Sequence, residues 1–180
     1  MLKTVKIAIL MGGNLGNSAE IFAEAVRKLE ANGVKAIRQS RLHRTAPVDC
    51  VPGTPEFSNA ALTGEWSRSA ETLLELTQRL EREAGRPACH SSRESRTLDL
   101  DLILFGERCS NSPVLTLPHP RARQRRFVLE PLAEIAPEMR FPDTGESVAE
   151  ALHRLEKAEK EERFGENRGV CGENSRKKRS

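Results

Sequence analysis

Apolar positions change their spacing along the chain, and each change predicts an element. Residues 5 to 11, VKIAILM, are apolar except for Lys6 and read as a first, buried strand closed by the turn GGNLGN. Ile21, Phe22, Ala25, Val26 and Leu29 then recur at helical spacing, with Asn17 or Ser18 as cap and Asn32–Gly33 as stop. From Val34, VKAIRQSRLHRT reads as a second strand and FSNAALTGEW as a third, joined by the Pro/Gly-rich APVDCVPGTPE. Ser69 caps a second helix through Leu73, Leu76, Leu80 and Ala84, ended by Gly85. RPACHSSRES has no period and reads as a mobile loop leading into RTLDLDLILFG. The order β-α-β-β-α-β predicts an α+β fold with a ferredoxin-like core. VLTLPHP, a helical RQRRFVLEPLAEIA interrupted by Pro131, and a helix near Val148 to Leu155 extend it on the C-terminal side. From residue 157 there are few apolar residues and no period, so one domain over 1–156 and a disordered charged tail over 157–180 are expected.

The segment RTLDLDLILFG carries two aspartates in an otherwise apolar run. Its period of two predicts a strand with Leu98, Leu100, Leu102 and Leu104 on one face and Asp99, Asp101, Ile103 and Phe105 on the other. Residues two apart on a strand lie about 6.5 to 7 Å from each other on the same side. Two carboxylates there repel unless something positive lies between them. A divalent cation meets that need, and oxygen-only ligands favour Mg²⁺ over zinc. The pattern equally fits two aspartates on the solvent side of an edge strand.

Composition narrows the class. The net charge of +3 owes much to the final SRKKRS, so the rest is near neutral and argues against a generic nucleic-acid binder. Cys50, Cys89, Cys109 and Cys171 are scattered without zinc spacing, as expected of reduced thiols in a cytoplasmic protein. Lys6 interrupts the first apolar run and no cleavage pattern follows it, so neither a signal peptide nor a membrane span is expected. No GxxxxGK[ST] is present, and GGNLGN lacks the GxGxxG spacing, which removes P-loop and Rossmann chemistry.

Arginines supply the positive side. Arg86 and Arg93 lie at the ends of the predicted loop, Arg96 opens the aspartate strand, and Arg121, Arg123, Arg125 and Arg126 follow LPHP. Guanidinium forks bind phosphate oxygens in two-point contacts, so this grouping around two carboxylates suggests a polyphosphate ligand. His119, held between prolines, suits a phosphate hydrogen bond or a structural turn. Phe57, two residues before Asn59, and Phe127 are core candidates, yet two ring faces with an amide at the edge would also suit a flat heterocycle.

These pieces together resemble the 6-hydroxymethyl-7,8-dihydropterin pyrophosphokinases of folate biosynthesis. RTLDLDLILFG matches that family's R-x-x-D-x-D strand, and GGNLGN, HRTAP, PEFSNAAL, TQRLEREAGR, LTLPHPRARQRRFVLEPLAEIAPEM and FPD follow in its order over about residues 5 to 155. The resemblance implies transfer of diphosphate from MgATP to the hydroxymethyl group of the pterin, releasing AMP. It implies that Asp99 and Asp101 hold two Mg²⁺ ions, and that Arg86, Arg96 and His119 contact the phosphates, with Arg125 close by. Arg86, Arg96, Asp99 and Asp101 are then the catalytic set. Gln78 and Glu81 would lie near the nucleotide. Phe57 and Phe127 would sandwich the pterin, with Asn59 at its edge and the backbone of Thr45, Ala46, Pro47 and Val48 completing the pocket. A monomer acting on small molecules, with no nucleic-acid or membrane partner, is the expectation.

The chain departs from the family pattern mainly between Arg86 and Arg96. Ala88 stands where an arginine is common, Glu94-Ser95 replaces Gly-Pro, and Gly13 stands where serine is usual. A catalytically weakened pterin- or nucleotide-binding regulator is therefore the alternative. An RNA-binding ferredoxin-like module predicts exposed aromatics and a basic sheet face, against which stand the acidic strand and the few aromatics.

Overall fold

The computed structural model describes residues 4–46, 53, 55–85 and 95–169, with side chains described as far as residue 162. β1 (Val5–Gly13) leads through α1 (Ser18–Ala31) to β2 (Lys35–Gln39), β3 (His43–Thr45) and β4 (Phe57–Trp66). α2 (Ala70–Glu83) precedes β5 (Asp99–Phe105), the short pair β6 (Ser110–Asn111) and β7 (Thr116–Leu117), a single 3-10 turn (Ala122–Gln124), α3 (Arg126–Ile135) and α4 (Val148–Gly169). β1 lies between β4 and β5, antiparallel to both, and the sheet order is β2-β4-β1-β5 with β3 also paired to β4.

Alternation sorts side chains to two layers. Ile7, Ile9 and Met11 of β1 join Phe22 and Leu29 of α1 and Leu73, Leu76 and Leu80 of α2 in one core. Ala8 and Leu10 join Val128, Leu129 and Leu132 of α3 and Ala151 of α4 in the other. Helices therefore cover both faces of the sheet. α2 starts as its cap predicts, with Ser69 Oγ accepting from the Thr72 N–H at 3.2 Å, an arrangement worth about 1 kcal/mol. Gly85, at φ +96°, ends it in the left-handed turn that a residue with a Cβ resists. Asn17 caps α1 by position alone, without a side-chain bond.

The aspartate strand departs from strict alternation. Ala8 pairs with Leu104 and Ile9 with Leu102, so Ile103 is an extra residue, a bulge. Leu98, Leu100, Leu102 and Phe105 thus pack with α1 and α2, whereas Ile103 and Leu104 pack with α3 and α4. Leu104 and Phe105 lie on the opposite faces from those their spacing predicts. The N-terminal half keeps the predicted faces because burying each leucine is worth about 1.5–3 kcal/mol, and a slip of one residue would exchange leucines for carboxylates.

Three further boundaries differ from expectation. The predicted strand over 34–45 is two strands, because at Ser40 the side chain replaces the carbonyl: its N–H still donates to the Ala61 carbonyl, but its Oγ accepts from the Ala61 N–H and donates to the Arg41 carbonyl. α3 runs through Pro131 rather than breaking there, and the break falls earlier, at the extended Arg125. The segment from 157, expected without regular structure, is helical to Gly169. Arg126 of α3 reaches Glu159 at 2.9 Å and Glu156 at 3.6 Å on one face of α4. Residues 170–180 lie outside the described residues.

Candidate active site

A single cross-strand row organises the site. His43, Asn59, Gly12 and Asp99 are successive partners across β3, β4, β1 and β5. The next row along β1 pairs Ala61 with Leu10 and Leu10 with Asp101. Partners opposite one another share a face, so Asp99 and Asp101 lie on the side of the sheet that α3 and α4 cover. Phe57 is two residues before Asn59 on β4 and shares that face. Phe127, at the start of α3, packs against the core of the same layer. The structure thus gathers the carboxylate pair, Asn59 and both phenylalanines on one side of one sheet.

Gly12 keeps the row open. A methyl group there would sit 3.4 Å from Asn59 Oδ1 and 3.9 Å from Asp99 Cβ, filling the space between them. Asn59 is buried, and its Nδ2 donates to Thr45 Oγ1 at 3.0 Å, which fixes the amide and ties β3 to β4. Ala46 follows β3 and is exposed. Pro47 and Val48 lie outside the described residues, as do Arg86, Ala88 and Arg93.

Positive groups approach the aspartates from two directions. Arg96 Nη1 donates to Asp99 Oδ2 at 2.7 Å, with only 16% of the arginine side chain and 19% of the aspartate side chain exposed. From the other direction come His119, Arg121 and Arg125. The His119 N–H donates to the carbonyl of Ile103, the bulged residue, so β5 itself anchors the LPHP turn. Burial, then Arg125 and Arg121, hold the His119 imidazole below the ordinary histidine range, with Asp99 pulling weakly the other way. The Arg121 N–H donates to His119 Nδ1 at 3.3 Å, which leaves the ring proton of the neutral form on Nε2. Arg125 feels the same cluster: burial and Arg121 lower its pKa, and Asp101 and Asp99 raise it. Its guanidinium also lies over the Phe127 ring, 5.4 Å from the centroid.

The remaining arginines of that group are engaged elsewhere. Arg123 bonds Asp143 at 2.6 Å and Thr144 at 2.8 Å, and Arg126 bonds Glu130 and Glu159. Gln78 and Glu81 belong to α2, on the opposite layer. Gln78 is exposed, whereas Glu81 is buried and its Oε1 accepts the N–H of Leu100 at 2.7 Å. Among the described residues β5 is an edge strand, so Glu81 satisfies a ladder donor that none of the described strands takes. Asn14, which nothing in the local pattern singled out, is buried beside Arg96 and bonds its backbone.

Among the described residues no group of three or more His, Cys, Asp or Glu gathers to hold a metal. Asp99 and Asp101 fit a Mg²⁺ ion that takes one or two protein carboxylates and completes its shell with water and phosphate oxygens. Cys109, the cysteine among the described residues, is an exposed free thiol. No helix among the described residues is long and apolar enough to cross a membrane.

Residues 8–137 match the family model described as 7,8-dihydro-6-hydroxymethylpterin-pyrophosphokinase. A 2-amino-4-hydroxy-6-hydroxymethyldihydropteridine pyrophosphokinase of Synechocystis is 33% identical over 147 residues, which cover 81% of this chain and 74% of that protein. A folate synthesis bifunctional protein of Arabidopsis thaliana is 35% identical over 130 residues, 72% of this chain and 27% of that protein. The chain spans 20% of a similar folic acid synthesis protein of Pneumocystis carinii, so it corresponds to a minor part of these longer relatives. Among solved structures, the wild-type HPPK-DHPS of Plasmodium falciparum with pteroate superposes with a TM-score of 0.67 at 12% identity, over 90% of this chain and 44% of that one, which shows a shared fold.

Proposed function

The chain belongs to the 7,8-dihydro-6-hydroxymethylpterin-pyrophosphokinase family, and on that premise we propose that it transfers diphosphate from ATP to the hydroxymethyl group of 6-hydroxymethyl-7,8-dihydropterin in folate biosynthesis. The observation that carries this reading is the shared sheet face: Asp99 and Asp101 on β5, Asn59 and Phe57 on β4, and Phe127 in the layer above it. The core is read as ferredoxin-like, which the antiparallel order β2-β4-β1-β5 supports once β2 and β3 count as one interrupted strand.

In this reading the hydroxymethyl oxygen attacks the β-phosphorus and gives up its proton to water, the bond from that phosphorus to the α,β-bridging oxygen breaks, and AMP leaves with the oxygen. Asp99 and Asp101 are the residues that would hold two Mg²⁺ ions, which would supply charge neutralisation for the polyphosphate. Arg96, with Arg86, binds the transferred phosphates. His119 donates from Nε2 to a phosphate oxygen and Arg125 adds positive charge beside it. Phe57 and Phe127 stack on the pterin and Asn59 bonds its edge, with Thr45, Ala46, Pro47 and Val48 closing the pocket. Gln78, exposed on α2, is the residue of that helix that could approach the nucleotide, whereas Glu81, buried on the opposite layer, acts behind β5 rather than by contact. The Glu81 carboxylate fixes the Leu100 N–H, one residue from each aspartate. Positioning and charge neutralisation supply most of the acceleration, as phosphoryl transfer generally requires. The protein acts as a cytoplasmic monomer on these two small molecules.

The test is direct: the purified chain is incubated with ATP, Mg²⁺ and the hydroxymethyl pterin, and AMP is measured. Stoichiometric AMP and pterin diphosphate support the reading. Binding of both ligands without AMP release overturns it in favour of a regulatory binding protein of the same fold.

A further inference from the structure

The ladder between β1 and β5 ends at the pair Gly12 and Asp99, yet the two chains stay bonded for two more residues. The Arg96 carbonyl accepts from the N–H groups of Asn14, at 2.9 Å, and Leu15, at 3.2 Å. The Arg96 N–H donates to Asn14 Oδ1 at 2.8 Å, and Asn14 Nδ2 donates to Ser95 Oγ at 3.1 Å. One asparagine thus grips both backbone groups of Arg96 and the side chain before it, from a position only 8% exposed. Gly13 permits the approach, since a Cβ there would lie 2.5 Å from the Thr97 carbonyl oxygen.

From this we infer that Asn14 is a positioning residue of the phosphate site, acting through Arg96. A guanidinium on a long side chain can be aimed reproducibly only if its Cα is fixed. Arg96 lies where the chain enters β5, three residues before Asp99, and its guanidinium meets that carboxylate at 2.7 Å. Asn14 fixes the Cα, and the contact with Asp99 sets the direction. The inference rests on the diphosphotransferase reading for the meaning of Arg96, but the grip itself is independent of it.

The experiment compares Asn14→Ala, Arg96→Lys and the double variant with the unaltered chain. Two quantities are read: AMP formation, and the exchange rate of the Arg96 amide followed by nuclear magnetic resonance. Asn14→Ala is expected to speed that exchange at least tenfold and to lower kcat about tenfold, with the KM for pterin changed less than threefold. On the Arg96→Lys background its effect on kcat shrinks below threefold, because an unaimed ammonium has no geometry to lose. An unchanged exchange rate overturns the grip. An unchanged kcat, or an equal loss on both backgrounds, overturns the positioning role and leaves a purely structural bond. Absence of AMP from the unaltered chain, with the exchange difference intact, overturns the functional reading and the role assigned to Asn14 in it, but not the grip.

Discussion

Arg96 and Asp99 form an ion pair at 2.7 Å within a single turn of chain, while Asp101, two residues on, faces the same side and is sensed by Arg125. The two carboxylates are therefore flanked by guanidiniums from two segments of the chain. In the proposed function such a pair would meet a polyphosphate through bound Mg²⁺ rather than by itself.

It follows that Asp99→Ala and Asp101→Ala each lower AMP formation at least about a hundredfold, the scale lost when one preorganised electrostatic group is removed from a transition state. Both variants are expected to fold, because each aspartate side chain is only partly buried. Circular dichroism and a melting curve check the fold. Near-normal turnover in Mg²⁺ by either variant would sink the metal assignment.

Adjacent glycines separate a functional from a structural requirement. A methyl group at Gly13 meets the Thr97 backbone oxygen at 2.5 Å, so Gly13→Ala must push β1 and β5 apart and is expected to cost about 1–3 kcal/mol in urea unfolding. At Gly12 the nearest atoms are side chains at 3.4 and 3.9 Å, so Gly12→Ala keeps its stability within about 1 kcal/mol and instead raises the KM for pterin. Equal destabilisation by the two would show that Gly12 faces no cleft.

Glu81 is buried with its carboxylate on the Leu100 N–H, so truncation strands a donor at the edge of the sheet. Glu81→Ala is expected to cost about 1–3 kcal/mol, and Glu81→Gln, which keeps an acceptor, less than half of that. Denaturant midpoints decide. A large loss of activity in Glu81→Gln without loss of stability would instead support a direct role at the nucleotide.

His119 gives the site a pH dependence whose sign is fixed by burial. Its pKa in the fold is below the ordinary value of about 6.5, so the unfolded chain takes up the proton first as pH falls. The stability this group contributes is complete above that ordinary value and is lost as pH falls towards and through the lower folded one. Protonation at Nδ1 would also break the bond from the Arg121 N–H. Between pH 7.5 and 5 the unaltered chain is expected to lose more stability than His119→Gln, in parallel urea titrations. Identical slopes would remove His119 as the cause.

Much of this arrangement was legible because it follows from periods. Alternating leucines and aspartates placed Asp99 and Asp101 on one face, and leucines three and four apart placed α2 on the other. The bulge at Ile103 was not legible, because Ile103, Leu104 and Phe105 are all apolar and either register buries them. Ser40 broke a strand through bonds to Ala61, twenty-one residues away, and no local pattern encodes them. Asn14 is hidden for the same reason, since its partners Ser95 and Arg96 are more than eighty residues distant. The helix beyond 157 has few apolar residues of its own, and the cation that meets Glu159, Arg126, belongs to α3. Contacts between distant segments decide these cases, and alternation carries no information about them.

Phe127 offers a prediction that separates packing from recognition. Its ring is half-buried against the core of α3 and α4, and the Arg125 guanidinium lies over it at 5.4 Å. A ring used only for packing can be replaced by leucine at a cost below about 1.5 kcal/mol, with little change in either substrate. A ring that stacks on a flat heterocycle loses that face whether alanine or leucine takes its place, and stacking on one base is worth about 1–3 kcal/mol. Phe127→Leu is therefore expected to keep its melting temperature within a few degrees while raising the KM for pterin about tenfold, and to leave the KM for ATP within threefold. Steady-state kinetics with each substrate varied in turn distinguish the cases. A parallel rise in both constants would mean that the substitution disturbed Arg125 and the phosphate side instead, and no rise in either would return Phe127 to the core.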